Sequence, residues 1–154
     1  MQILVLSIIM VSSLLLQGLL KFPYRPDLIL VFILVVAAKR SDRELYGFSF
    51  TSALLFDLLY STSFVSTFTK TLAAWIVAVA KKNVSMDPFR FALVLVGIAS
   101  PLVVLADAIV YWLFYSTPVD LFRLLAGMAA ITVFNLAITP VYCYIFDRSL
   151  KESP

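Results

Sequence analysis

The chain has 154 residues, of which 62% are hydrophobic and 14% are charged, and its formal net charge is +3. Its mean hydropathy is +1.02. About a quarter of the residues in soluble domains are charged, so this composition excludes an ordinary soluble protein. It indicates one integral membrane domain over residues 1–154, in contact with membrane lipids. One cysteine and no histidine exclude an intrachain disulfide, a zinc cluster and a Cys/His nucleophile pair, and we expect neither a metal nor a cofactor.

Six apolar segments follow one another along the chain, and a transmembrane helix needs about 20 apolar residues. They predict an all-α fold, a six-helix transmembrane bundle. The predicted helices cover residues 2–20, 26–38, 45–60, 65–80, 89–115 and 121–146.

The boundaries of these helices follow from local signals. The first segment, "MQILVLSIIMVSSLLLQGLL", lacks the basic region of a secretory signal and is longer than its apolar region, so we expect a retained helix. Prolines in "KFPYRPD" end it, and Pro26 suits the first turn of helix 2. Helices 3 and 4 flank "STSFVST" and are short, which leaves a re-entrant hairpin as an alternative. Pro101 and Pro140 are expected to kink helices 5 and 6.

The distribution of lysine and arginine predicts the orientation, because cytoplasmic loops carry an excess of both. With both termini inside, the cytoplasmic set is Lys39, Arg40, Arg43, Lys81, Lys82, Arg90, Arg148 and Lys151, and the external set is Lys21, Arg25, Lys70 and Arg123. We therefore predict six spans with cytoplasmic N and C termini. A five-helix arrangement would put the two basic loops on opposite sides. No polar face interleaves basic and aromatic residues, so nothing indicates a nucleic-acid partner.

The segment "ALLFDLLY" places the carboxylate of Asp57 among apolar residues of helix 3. A carboxylate at the centre of a membrane helix is unfavourable by about 2.5–3.5 kcal/mol, so it should face protein or water, or be protonated. Helical spacing puts Asp57 on one face with Ser49, Ser52 and Ala53. Such a small, polar face favours close helix contact in lipid, and we predict that Asp57 points inward.

Helices 5 and 6 carry comparable stripes. In helix 5 the stripe is Gly97, Ser100, Val104, Asp107 and Tyr111, and in helix 6 it is Met128, Thr132, Asn135, Thr139 and Tyr142. Asp57, Asp107 and the Asn135 amide are therefore expected to converge. Lys70, near the start of helix 4, is expected either to pair with Asp57 or to snorkel to the outer interface.

Two interpretations of the carboxylates are open. Intramembrane charge marks a functional site by default, but a carboxylate can also hydrogen-bond a neighbouring helix and hold a bundle together, and we favour this structural role. A protease dyad of Asp57 and Asp107 has little support, because "LLFDLLY" and "VLADAIVYW" lack the glycine-containing motifs of intramembrane aspartyl proteases.

The stretch "RPDLILVFILVVAAKRSDRELYGFSFTSALLFDLLYST", residues 25–62, resembles the MreD family of bacterial rod shape-determining membrane proteins. In that family Arg-Pro-Asp/Asn opens helix 2, and a glycine-bearing third helix ends in Leu-Asp-Leu. "ADAIVYW" is similar to the family's fifth helix, and the likeness covers nearly the whole chain in helix count and order. The family pattern is carried over residue by residue, and small and polar residues of the predicted faces are added to it. The predicted structural or interaction residues are then Arg25, Pro26, Asp27, Gly47, Ser49, Ala53, Asp57, Asp107, Asn135 and Pro140.

The third helix departs from the family pattern. Family members usually carry two or three glycines there and a Gly-Ser after the aspartate, whereas this chain has Gly47 with Ser49 and Ala53 as small substitutes, and "YSTSF" in place of the glycine turn. Close packing of this helix is still expected, with less intimate backbone contact.

The resemblance implies a non-enzymatic scaffold of the cell-elongation peptidoglycan synthesis complex in the bacterial cytoplasmic (inner) membrane. It implies binding to MreC, a single-span protein with a periplasmic domain, and through MreC an association with MreB filaments, RodA and a class B penicillin-binding protein. The scaffold would support regulation of that synthase and so maintain rod shape. Which helix would face MreC, and the oligomeric state, are left open.

The family is also similar in fold to the substrate-binding subunits of energy-coupling-factor vitamin transporters. The alternative function is therefore a small-molecule binding subunit of a membrane transporter. In that case Asp57, Asp107, Asn135 and Tyr111 would line a polar pocket near the external side.

Overall fold

The computed structural model describes residues 2–20, 24–40, 42–60 and 64–151, and the side chains of these ranges from residue 3 to residue 148. Over this part of the chain the fold is all-helical, which confirms the predicted all-α class and the six predicted helices. The helices are α1 (Gln2–Leu19), α2 (Leu28–Lys39), α3 (Asp42–Tyr60), α4 (Val65–Lys81), α5 (Pro88–Tyr115) and α6 (Leu121–Lys151).

Most helix ends lie close to the predicted ones, and the exceptions have local causes. Helix α2 begins at Leu28 rather than at Pro26, because Asp27 is its N-cap and accepts a hydrogen bond from the Leu30 N–H at 3.0 Å. Helix α3 begins earlier than predicted, with two acidic residues in its first turn, where negative charge favours a helix N-terminus. Residues 21–23 of the predicted turn "KFPYRPD" and residues 61–63 of the linker "STSFVST" lie outside the described residues.

Helix α2 is the centre of the bundle. Its side chains are buried from Leu28 to Ala38, and it contacts each of the other five helices. Its sequence, "LILVFILVVAA", is apolar on every face, which is the pattern of a helix surrounded by protein. Around it, α3 packs against α4 and α5 packs against α6.

Two helices are long and apolar enough to cross a membrane by length and composition, α5 and the Leu121–Arg148 part of α6. Helix α2 has 12 residues, which corresponds to about 18 Å at 1.5 Å per residue. That length is short of the roughly 30 Å of hydrocarbon in a bilayer. Because α2 is enclosed by the other helices, its length does not have to match a membrane. Pro101 and Pro140 lie inside α5 and α6, and the kinks stay predictions.

The two glycines on the facing helices α1 and α3 differ in their surroundings. Gly47 is exposed, and a Cβ built on it meets no described atom within 4 Å, so the described part of the chain makes no close contact at this glycine. The close approach lies at Gly18 of α1, where an added Cβ would clash with the ring of Tyr60. That ring is held in place, because the Tyr60 hydroxyl donates to the Leu14 carbonyl oxygen at 2.7 Å.

Substitution of each glycine by alanine tests this difference. Gly18→Ala is expected to lower the free energy of unfolding by about 1–3 kcal/mol, because it overpacks the contact between α1 and α3. Gly47→Ala is expected to be neutral or to stabilise by up to about 1 kcal/mol, because alanine favours an exposed helix. Heat unfolding of both variants in the same detergent measures the difference, and equal shifts would contradict the close approach at Gly18.

Candidate functional site

Asp57 lies near the end of α3 and is 3% exposed, which confirms that it points inward. Its carboxylate accepts hydrogen bonds from the Ser66 N–H at 3.2 Å, from the Thr67 N–H at 2.6 Å and from the Thr67 hydroxyl at 2.6 Å. These N–H groups belong to the first turn of α4, where the helix itself supplies no acceptor. The residue before α4, Phe64, provides no side-chain cap. Asp57 therefore caps α4 from a neighbouring helix, with its negative charge at the positive end of the helix dipole.

Lys70 is buried in α4 and forms an ion pair with a second carboxylate of this region, Asp27. Its Nζ lies 3.0 Å from Asp27 Oδ2 and donates to Ser66 Oγ at 2.9 Å, and its side chain is 2% exposed. It also lies 5.2 Å from the centre of the Phe56 ring, within the range of a cation–π contact. Both predictions for Lys70, snorkelling and pairing with Asp57, are therefore wrong. Side chains of a helix lean toward its N-terminus, and this carries the Lys70 ammonium to the start of α2.

Asp107 joins the same stretch of α4 from the side of α5. Its Oδ1 accepts a hydrogen bond from the Thr69 hydroxyl at 2.6 Å. The expected convergence of the carboxylates is thus indirect: Asp57 and Asp107 accept from different residues of α4, and Asp27 pairs with a third. Residues 66–70 of α4 connect the three acidic side chains.

Asn135 completes the polar region from α6 and is fully buried. Its Oδ1 accepts from the Asp27 N–H at 2.7 Å, and its Nδ2 donates to Ser100 Oγ at 2.9 Å. The Leu28 N–H donates to Oε1 of Gln17 in α1 at 2.7 Å. The first N–H groups of a helix have no acceptor within it, and those of the central α2 are kept from water. Gln17 accepts from the Leu28 N–H, Asn135 accepts from the N–H of the cap residue Asp27, and Asp27 accepts from the Leu30 N–H, which fixes the start of α2.

The predicted structural residues therefore divide into two groups. At this end of the bundle lie Arg25, Pro26, Asp27, Asp57, Asp107 and Asn135. Away from it lie Gly47 and Pro140, both exposed, and Ser49 and Ala53 on the buried face of α3.

Sequence reasoning missed two parts of the site. The sequence prediction does not include Gln17, although one amide near the end of an otherwise apolar helix is a signal. The prediction also assigns no role to Ser66, Thr67 and Thr69, although hydroxyl residues are common at a helix start.

A polar cavity of about 240 Å³ opens beside this cluster. Its polar lining residues are Gln17, Arg25, Asp27, Ser66, Lys70, Asp107 and Tyr111. Asp107 and Tyr111 line this cavity, as predicted for a ligand pocket. Asp57 and Asn135 do not line it, contrary to that prediction, because their polar atoms bind neighbouring helices. Among the described residues, no group of three or more acidic, cysteine or histidine side chains could hold a metal ion.

No protein-family model, curated protein or solved structure matches this chain. The likeness to the MreD family accordingly depends on the motifs of residues 25–62 and 106–112.

Proposed function

We propose that this chain is a non-enzymatic membrane scaffold of the cell-elongation peptidoglycan synthesis complex. In this role it binds MreC and supports regulation of the RodA and penicillin-binding-protein synthase, which maintains rod shape. The observation that carries the scaffold role is the use of the carboxylates within the chain. Asp57 caps α4, Asp27 caps α2 and pairs with Lys70, and Asp107 accepts from Thr69. The resemblance of residues 25–62 to the MreD family supports the choice of complex and partner.

The exposed surface supports placement in a membrane. Large apolar side chains lie exposed on the outer face of α1, on α5 and on α6. Examples are Leu4 and Leu15, Ile98 and Leu102, and Val133 and Phe134. Contiguous apolar surface on this scale is unfavourable in water, whereas in a bilayer it contacts lipid or the span of a partner. We propose a multi-pass protein of the bacterial cytoplasmic membrane.

Charge at the two ends of the bundle supports cytoplasmic termini. At the end opposite the acidic cluster, Lys39 at the end of α2 pairs with Asp147 of α6. There Lys81 at the end of α4 donates to the Arg40 carbonyl oxygen at 2.6 Å. This end carries most of the lysine and arginine of the chain, as cytoplasmic ends of membrane proteins do. The acidic cluster then lies toward the external side.

Cysteine crosslinking to a co-expressed MreC from the same organism tests the scaffold role. The natural Cys143 is buried and is first replaced by alanine, so that each introduced cysteine reports alone. Leu15→Cys, Phe68→Cys and Phe134→Cys sample exposed faces of α1, α4 and α6. One face is expected to crosslink to the MreC span in membranes.

Leu34→Cys, inside the enclosed α2, is the matched control and should give no crosslink. The proposal is wrong if no exposed face crosslinks to MreC, or if the purified chain carries an energising ATPase pair in place of MreC.

The polar cavity favours one second candidate, a small-molecule binding subunit of a membrane transporter. A concave site with several converging polar side chains is the usual form of a ligand site, and this cavity includes the buried Lys70 and the acidic Asp107. Co-purification with an energising ATPase pair would support this candidate and contradict the scaffold.

A further inference from the structure

The polar cavity has a buried floor and a partly exposed rim. Gln17, Ser66 and Lys70 form part of the floor, with 3%, 5% and 2% of their surface exposed. Arg25 and Asp107 at the rim are half-buried. The volume of about 240 Å³ corresponds to roughly eight waters at about 30 Å³ each. A small polar molecule could enter past the rim and reach the floor.

The charges lining the cavity fall into one pair and two single groups. Asp27 and Lys70 compensate each other at 3.0 Å. Arg25 and Asp107 take part in none of the ion pairs within 4 Å that the described residues form. Among the described residues, no opposite charge therefore pairs with Arg25 or with Asp107 within 4 Å, although the Lys70 ammonium attracts the Asp107 carboxylate from farther away.

Both single groups have capacity for further hydrogen bonds. Arg25 uses Nη1 for the carbonyl oxygens of Gln17 and Leu20, at 3.4 and 3.3 Å, and a guanidinium carries five N–H donors. Asp107 uses Oδ1 for Thr69, and a carboxylate can accept about four hydrogen bonds. Tyr111, which follows Asp107 by four residues on α5, also lines the cavity, and aromatic rings attract cations.

We propose that this cavity binds a small zwitterion, with its ammonium group at Asp107 and Tyr111 and its anionic group at Arg25. Phosphate and carboxylate both match the planar donors of arginine. An aminoethyl phosphate carries one charge of each sign a few bonds apart, either free as phosphoethanolamine or as the headgroup of phosphatidylethanolamine. This proposal names a ligand for the second candidate function. It rests on the ligand-binding part of that function and does not require transport.

Calorimetric titration of the purified full chain in detergent tests the proposal, with phosphoethanolamine as the probe. Ethanolamine and inorganic phosphate each carry one of the two charges and are expected to bind at least about tenfold more weakly, because each loses a charged hydrogen bond. Asp107→Asn and Arg25→Gln are each expected to raise the Kd of phosphoethanolamine about tenfold or more for the same reason.

The exposed ion pair of Asp120, just before α6, with Arg123 in the first turn of α6 provides the matched controls. Asp120→Asn and Arg123→Gln make the same chemical changes away from the cavity and should leave the Kd unchanged. Each variant is first compared with the natural chain by heat unfolding, and the two cavity variants lie on different segments, so that misfolding of one still leaves the other as a test.

A second arm distinguishes the two sources of the zwitterion. The chain is placed in nanodiscs of phosphatidylethanolamine or of phosphatidylglycerol, and retained lipid is counted by native mass spectrometry. Retention of phosphatidylethanolamine by the natural chain and its loss in Asp107→Asn would support the headgroup as the ligand, even without binding of free phosphoethanolamine.

Two outcomes overturn the proposal: neither source binds, or ethanolamine or phosphate alone binds as tightly as phosphoethanolamine. Neither outcome bears on the crosslinks to MreC or on co-purification with an ATPase pair, so failure of the ligand proposal is distinguishable from failure of either function.

Discussion

Replacing Asp57 by leucine is expected to lower the free energy of unfolding by about 3 kcal/mol or more. The substitution removes the acceptor of two backbone N–H groups in the first turn of α4, and each unsatisfied buried group is unfavourable by about 1–3 kcal/mol. Asp57→Asn keeps one side-chain oxygen and loses the charge at the helix dipole, so we expect about half of that effect. Unfolding of the purified variants by heat or by sodium dodecyl sulfate in mixed micelles measures both.

Asp87 offers a matched control, because it caps α5 in the same way. It accepts from the N–H groups of Phe89 and Arg90 at 3.1 and 3.2 Å, but both bonds are exposed. Water replaces the lost acceptor there, so Asp87→Leu should reduce stability by only about 1 kcal/mol. Equal effects at Asp57 and Asp87 would mean that burial of the α4 cap contributes little. Equal loss in Asp57→Leu and Asp57→Asn would mean that the charge itself is required.

Part of the site was predictable from the sequence, because a buried polar group has a large effect on stability. A carboxylate within an apolar helix is unfavourable in lipid, so the inward direction of Asp57 follows from its position and from its small neighbours Ser49 and Ala53. The same reasoning applies to the amide of Asn135, which is fully buried. Helix positions were predictable because long apolar runs are interrupted by proline and charge.

The partners of these groups were not predictable, because helical periodicity fixes the face of a residue and leaves its neighbouring helix undetermined. Lys70 shows this: its spacing placed it one turn into α4, but its ion pair with Asp27 depends on α2 occupying the centre of the bundle. The role of Gln17 likewise depends on α1 lying beside the start of α2. A 12-residue apolar helix gives no sign in its sequence of which side chains will satisfy its first N–H groups.

The ion pair of Lys70 and Asp27 is the second place where a substitution should have a large effect. Lys70→Met is expected to lower the free energy of unfolding by about 3–5 kcal/mol, because it leaves the Asp27 carboxylate without its cation among buried groups. The double variant Lys70→Met/Asp27→Asn should recover much of this loss. Its asparagine can still accept from the Leu30 N–H, and removing both charges of a buried pair is often close to neutral. Unfolding of the two single variants and the double variant in one detergent gives a double-mutant cycle.

Lys39 supplies the comparison for this cycle, because it pairs with Asp147 at the opposite end of the bundle, where the aspartate side chain is 57% exposed. Lys39→Met should therefore reduce stability by no more than about 1 kcal/mol, since exposed ion pairs contribute little. Additive effects of Lys70→Met and Asp27→Asn would show that the buried pair is not coupled, and the polar cluster would then hold the bundle through its hydrogen bonds alone. If the double variant is much more stable than the sum of the two single effects predicts, and Lys39→Met has a mild effect, then charge pairing at the start of α2 fixes how α4 packs against α2.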